Sequence, residues 1–208
     1  MTIPSCQLYL ISPLDVGGDF PERLQQALEA GPVAAFQFRV KDVEQGEAER
    51  LAEPLKEICD AHDVAFIVND DVDLAKRLAA DGVHLGQGDG DLKDARVELG
   101  DQMQIGITCH DSRHLAMEAG EGGANYVAFG AFFPTTTKET RHRPEVDILE
   151  WWSTIMEIPC VAIGGITPDN CQPLVDAGAD FLAVSGSVWN DPEGPTYAVK
   201  RFNEILAG

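Results

Sequence analysis

Asp70 and Asp89 are the residues around which a chemistry can be built. Each follows a short apolar run: residues 66–68 lead into Asn69-Asp70, and residues 83–85 lead into Gly86-Gln87-Gly88-Asp89. Between the runs, Leu74-Ala75 and Leu78-Ala79 recur at the spacing of a helix face. Strand, helix, strand makes the two strands parallel neighbours, with both carboxylates at one sheet edge. Two acids converging there suit a hard divalent cation and, through it, phosphate oxygens. The competing reading is that each aspartate caps the helix that follows it.

Other polar groups repeat the theme. Gln37, Arg39 and Lys41 lie at i, i+2 and i+4, one face of an extended segment. Inside a fold that cluster needs an anionic partner. A diphosphate is the natural one, because arginine grips two oxygens and lysine adds a point charge. The alternative is a surface strand end with solvated cations. Pro134-Thr135-Thr136-Thr137-Lys138 offers hydroxyls and an ammonium to a monophosphate. Gly164-Gly165 and Ser185-Gly186-Ser187 leave backbone N–H groups open to close approach by an anion. Thr108 could hydrogen-bond a substrate oxygen. His110 reads as a capping or packing residue, and Cys109 as a small buried apolar one.

The elements that must carry these residues alternate along the whole chain. Apolar runs at 8–11, 34–38, 66–68, 83–85, 104–108, 126–129, 160–163 and 181–184 read as strands. The intervening stretches carry helical spacing, at 20–30, 44–62, 92–99, 112–119, 146–156, 170–177 and 196–206 besides the one already described. Eight units in 208 residues, about 26 each, imply the α/β class and a single (β/α)₈ TIM barrel over 1–208. An open doubly wound sheet is disfavoured because no G-x-G-x-x-G follows the first strand. Residues 130–145 lack periodicity, and a loop of that length is more often functional than a connector.

Composition narrows the partners. The net charge of −20 disfavours nucleic acid and anionic membranes, so an anionic substrate needs a local exception to the global charge. There are six lysines, and Lys41 and Lys138 both fall in the clusters above. No apolar run is long enough to span a bilayer, and the first residues lack a signal-peptide pattern. Five scattered cysteines without a C-x-x-C pair fit a reducing cytoplasm rather than a disulfide framework or zinc site. A homo-oligomer is left open.

These motifs resemble those of the thiamine phosphate synthase (thiamine-phosphate pyrophosphorylase) family. The resemblance runs from Leu8 to about Trp189, through Q-x-R-x-K at Gln37–Lys41, N-D at Asn69-Asp70 and H-L-G-Q-x-D at His84–Asp89. It continues through P-T-x-T-K at Pro134–Lys138, A-I-G-G-I at Ala162–Ile166 and V-S at Val184-Ser185. The resemblance implies an enzyme that joins a pyrimidine methyl diphosphate to a thiazole phosphate, releasing pyrophosphate. It implies Mg²⁺ on Asp70 and Asp89, and pyrimidine-substrate contacts from Gln37, Arg39, Val40, Lys41, Asn69 and Lys138. Thr135, Thr136, Thr137, Gly165, Val184 and Ser185 would hold the thiazole phosphate, with Thr108 also in the site. Arg39, Lys41 and Lys138 would carry the catalytic charge for a dissociative departure of pyrophosphate.

The chain departs from the family pattern at Val40, usually glutamate, at Asp71, often arginine, at Gly88, usually glutamate, and at Thr108, usually serine. Asp71 is expected to strengthen metal binding and weaken diphosphate binding. Arg141, His142 and Arg143 are expected to close over bound phosphates. A thiazole tautomerase-like relative, which would use His110, typically lacks the P-T-x-T-K turn and the paired aspartates. A non-catalytic barrel that binds thiamine phosphates is the reading from a different class. Phosphate-binding barrels of tryptophan or histidine biosynthesis need a strand-end lysine or acid pair in other loops.

Overall fold

Short runs rich in branched and aromatic residues become eight parallel strands in the computed structural model, which describes residues 6–135 and 142–208. They are β1 (Gln7–Ile11), β2 (Ala35–Phe38), β3 (Ala65–Asn69), β4 (Gly82–Leu85), β5 (Gln104–His110), β6 (Tyr126–Gly130), β7 (Cys160–Ile163) and β8 (Phe181–Val184). Each pairs with the next, and β8 pairs with β1, so the sheet closes in sequence order as a (β/α)₈ barrel. Closure leaves no strand edge exposed.

The helices are α1 (Phe20–Ala30), α2 (Gln45–Ala61), α3 (Val72–Arg77), α4 (Leu92–Leu99), α5 (Arg113–Glu121), α6 (Asp147–Ile155), α7 (Gln172–Asp176), α8 (Gly186–Trp189) and α9 (Pro195–Leu206). In α1 the buried residues Phe20, Leu24, Ala27 and Leu28 follow the i, i+4, i+7, i+8 stripe that faces a sheet. Strand alternation sends Leu10, Phe36, Phe38, Phe66 and Leu85 outward to meet such stripes in the main core. The inward set forms a second, smaller cluster that includes Tyr9, Ile67, Tyr126, Val161 and Ala183. That inner cluster is the floor on which the functional loops stand.

Most element ends shift by one or two residues from the sequence reading, and two of the differences have a structural cause. β5 continues to His110 rather than ending at Thr108, because a bulge between Thr108 and His110 inserts Cys109 into the ladder to β6. The short α8 after Ser185 carries no periodic signal, since one turn is too brief to show any. It is wound by tertiary contacts: Trp189 Nε1 donates to the Ile11 carbonyl at 2.6 Å, and its indole meets Phe20 edge-on.

Candidate active site

The loops after the strands open onto one cavity of about 1000 Å³ at the C-terminal mouth of the barrel. On the side of β2 and β3, Gln37, Arg39 and Asn69 line it. Thr108 and Thr135 line it from β5 and from the loop after β6, and Gly165, Val184 and Ser185 from the turns after β7 and β8. His142 and Arg143, expected to close over phosphates, line it too. Arg141 lies outside the described residues, as do Thr136, Thr137 and Lys138.

Arg39 is the most demanding of these groups. It keeps 9% of its surface exposed, and its Nη1 is buried without a hydrogen-bond partner. Burial lowers its pKa, and the nearby Asp70 carboxylate opposes that shift. Its backbone is clamped to the end of β1. Ser12 Oγ accepts from Arg39 N at 2.9 Å and donates to the Arg39 carbonyl at 3.1 Å. A buried guanidinium with an idle donor is unfavourable unless an anion arrives to meet it.

Asp70 and Asp89 meet each other beside Arg39, past the ends of β3 and β4 and not among the residues that line the cavity. The Asp70 carboxyl is pushed above its usual range, first by burial, then by the charge of Asp89 and a hydrogen bond with it. Asn69 and Lys41 oppose the shift. Asp70 occupies the left-handed region at φ 66°, one residue beyond the β3 ladder, where its N–H still donates to the His84 carbonyl at 2.8 Å. Asp89 folds back so that Oδ2 accepts from Gly86 N at 3.1 Å. A Cβ on Gly86 would displace that carboxylate, so glycine here lets Asp89 keep its position.

Neither aspartate caps a helix. That work falls to their neighbours: Asp71 Oδ1 accepts from Leu74 N at 2.7 Å for α3, and Asp91 Oδ1 accepts from Lys93 N and Asp94 N for α4. The expectation that Asp71 adds to a metal site is therefore corrected. Its carboxylate is committed to the cap, and it lines a small hollow of about 180 Å³ outside the mouth, together with Val40. Val40, the position read as a substrate contact, packs there against the outer core rather than on the cavity. Lys41 is exposed and sits at the rim, close enough to Asp70 for their charges to interact.

The raised Asp70 carboxyl has a measurable consequence. A carboxyl held above its ordinary value keeps its proton in the folded chain at a pH where the unfolded chain has released it. Its contribution to stability is therefore lost as pH rises through that window. Asp70→Asn should raise the melting temperature at pH 7 in buffer free of divalent ions. The gain should fade as pH drops toward the ordinary carboxylate value of about 3.9. A gain equally large at both pH values would assign the effect to the backbone at φ 66° instead.

Sequence reasoning anticipated glycines 164 and 165 as room for an anion. Both have positive φ, and a Cβ on either would collide with the loop after β6, at Ala131 or Pro134. Their first use is thus to let that loop pack down, with Phe133 N donating to the Gly164 carbonyl at 3.0 Å. Ser12, Tyr9 and Tyr126 were missed. Tyr9 and Tyr126 are strand residues and Ser12 lies just past β1; each takes its role from a partner distant in the chain, and no local pattern marks it. Cys109 is buried and its thiol is pushed up to about 12 by burial, so it is no nucleophile. His110, at φ 55°, stacks on His142 with ring centroids 4.4 Å apart.

The model of the family described as thiamine monophosphate synthase matches residues 8–188. The chain belongs to that family. The thiamine-phosphate synthase of Erythrobacter litoralis is 67% identical over 205 residues, covering 97% of this chain and 95% of that one. The thiamine-phosphate synthase of Rhodospirillum centenum is 53% identical over 98% of this chain and 99% of its own. Among solved structures, a thiamine phosphate pyrophosphorylase from Pyrococcus furiosus superposes with a TM-score of 0.86 at 31% identity, covering 98% and 96% of the two chains. Among the described residues, no helix is long and apolar enough to cross a membrane.

Proposed function

We propose that the chain runs its family's condensation with the diphosphate end of the pyrimidine substrate at Arg39, Asp70 and Asp89. A pyrimidine methyl diphosphate and a thiazole phosphate become thiamine phosphate and pyrophosphate. The observation that carries this placement is the buried Arg39 guanidinium, its Nη1 without a hydrogen-bond partner, beside a pair of facing carboxylates. A cationic donor and an acidic pair at one rim suit a polyphosphate whose charge is shared between protein and metal.

The donor set fits Mg²⁺. Two oxygen-donor carboxylates meet, and no group of three or more His, Cys, Asp or Glu side chains gathers among the described residues. Asp70 and Asp89 would hold the ion and would leave the rest of its shell to water and phosphate oxygens, as Mg²⁺ prefers. Bound there, Mg²⁺ supplies charge neutralisation to the departing diphosphate.

The chain's own groups do the rest. Arg39, Lys41 and Lys138 add positive charge where pyrophosphate leaves, and Asn69 with Gln37 orients the pyrimidine. Thr135, Thr136, Thr137, Gly165, Val184 and Ser185 hold the thiazole phosphate, whose ring nitrogen attacks the carbon that the diphosphate vacates. No activated nucleophile is required, which agrees with buried thiols whose pKa values are all raised. Catalysis is then positioning plus stabilisation of the leaving group. Five buried, unpaired cysteines support a reducing, cytoplasmic setting.

The test is pyrophosphate release from the two purified substrates, with and without Mg²⁺. Release that needs both substrates and the metal is expected. Tight binding of both without release would instead make the chain a thiamine-phosphate-binding barrel.

A further inference from the structure

Five side chains from five strands form one hydrogen-bonded line across the floor of the cavity. Gln37 Nε2 donates to Tyr9 OH at 2.9 Å, and Tyr9 OH lies 3.0 Å from Tyr126 OH. Tyr126 OH lies 3.0 Å from His84 Nδ1, and His84 Nε2 lies 2.8 Å from Thr108 Oγ1. The register makes this line. His84 of β4 and Tyr126 of β6 both stand opposite Gly106 of β5, where any side chain would collide with the Tyr126 ring. The gap lets the two rings stack, with centroids 5.6 Å apart.

Tyr9 and Tyr126 each have one proton to give, as does an imidazole that carries a single ring proton, so with His84 in that form the direction of the line is all-or-none. With the Gln37 amide donating, Tyr9 gives its proton to Tyr126 and Tyr126 gives its own to His84 Nδ1. His84 then carries its proton on Nε2, aimed at Thr108 Oγ1. Burial pushes the Tyr9 phenol up to about 12 and Tyr126 well above its usual value, so both keep their protons at neutral pH. The two ends of the line, Gln37 and Thr108, line the cavity. Gln37 is left with its Oε1 as an acceptor, and Thr108 with its hydroxyl proton as a donor.

We propose that Tyr9, Tyr126 and His84 are positioning residues whose shared hydrogen-bond direction sets an acceptor at Gln37 and a donor at Thr108, together matching an aminopyrimidine ring. The exocyclic amino group donates to Gln37 Oε1, and a ring nitrogen accepts from Thr108. This deepens, and rests on, the reading that the pyrimidine substrate enters this cavity. The line reaches the ring and leaves the diphosphate to Arg39 and the acidic pair.

Two measurements test it. In ¹⁵N-histidine-labelled protein, with the His84 resonances assigned by loss in His84→Gln, His84 should be protonated at Nε2 and bare at Nδ1. Protonation at Nδ1 reverses the whole line and overturns the proposal. The second is binding of an unphosphorylated aminopyrimidine and, separately, of inorganic pyrophosphate. Tyr126→Phe should weaken the aminopyrimidine about tenfold, the size of one lost hydrogen bond near 1.4 kcal/mol, and leave pyrophosphate unchanged. Its KM for the pyrimidine substrate should rise similarly, with the KM for thiazole phosphate unmoved. Equal weakening of both ligands, or of neither, counts against the positioning role. If Tyr126→Phe does not fold, Tyr9→Phe interrupts the same line, and the tautomer of the parent still decides. A parent that binds the aminopyrimidine in this way but releases no pyrophosphate would refute the proposed reaction and leave this inference standing.

Discussion

Asp89→Asn is expected to lower turnover by about 10³-fold or more at ordinary Mg²⁺, with the fold retained. Asparagine keeps an oxygen that can accept from Gly86 N, so the turn leading to α4 loses no hydrogen bond. What it loses is half of the negative charge facing a cation. The second readout is Asp70 itself. Its carboxyl is raised by burial and then by Asp89, so removing that like charge should lower its pKa, measured by carbonyl-carbon NMR. Weaker Mg²⁺ binding by calorimetry should accompany the lost rate. Parent-like activity at ordinary Mg²⁺ would remove Asp89 from the metal site.

Arg39→Met should separate activity from stability. The guanidinium is buried with Nη1 unpartnered, so the folded chain carries a desolvated charge that its neighbours compensate only in part. Replacing such a group by an unbranched apolar side chain is often neutral or stabilising. The same change removes the donor that meets the leaving diphosphate, at a cost of about 10²–10³ in rate. The expected result is therefore a melting temperature equal to or above the parent's, with kcat/KM reduced at least about a hundredfold. A rate within about twofold, well under 1 kcal/mol, would show that Arg39 does not face the reaction. A large fall in melting temperature would show that its clamp to Ser12 matters more to folding than to chemistry.

Much of this arrangement was legible in the residues. Alternating strand and helix periods locate all eight strands, because a strand buried on both faces must be a short apolar run and a covering helix must be amphipathic. Asp70 and Asp89 stood out because each lies in the polar turn that follows such a run. The capping alternative could not be decided from spacing. Asp70 and Asp71 are adjacent, and which one reaches the first N–H groups of α3 depends on Asp70 entering the left-handed region. Val40 shows the converse. It sits inside the Q-x-R-x-K run, yet strand alternation turns it away from Gln37 and Arg39, so it lines the outer hollow instead.

By itself, then, the amino-acid order determined the eightfold repeat, the strand-end location of the charged residues and the family whose motifs they match. Tertiary structure alone decided which of those residues meet. Tyr9 and Tyr126 are 117 positions apart, and Ser185 stands next to the end of β1 only because β8 returns to it. The physical reason is closure. Periodicity is a property of neighbours along the chain, whereas register around a closed barrel is set by every strand at once, and that register turns scattered side chains into one cavity.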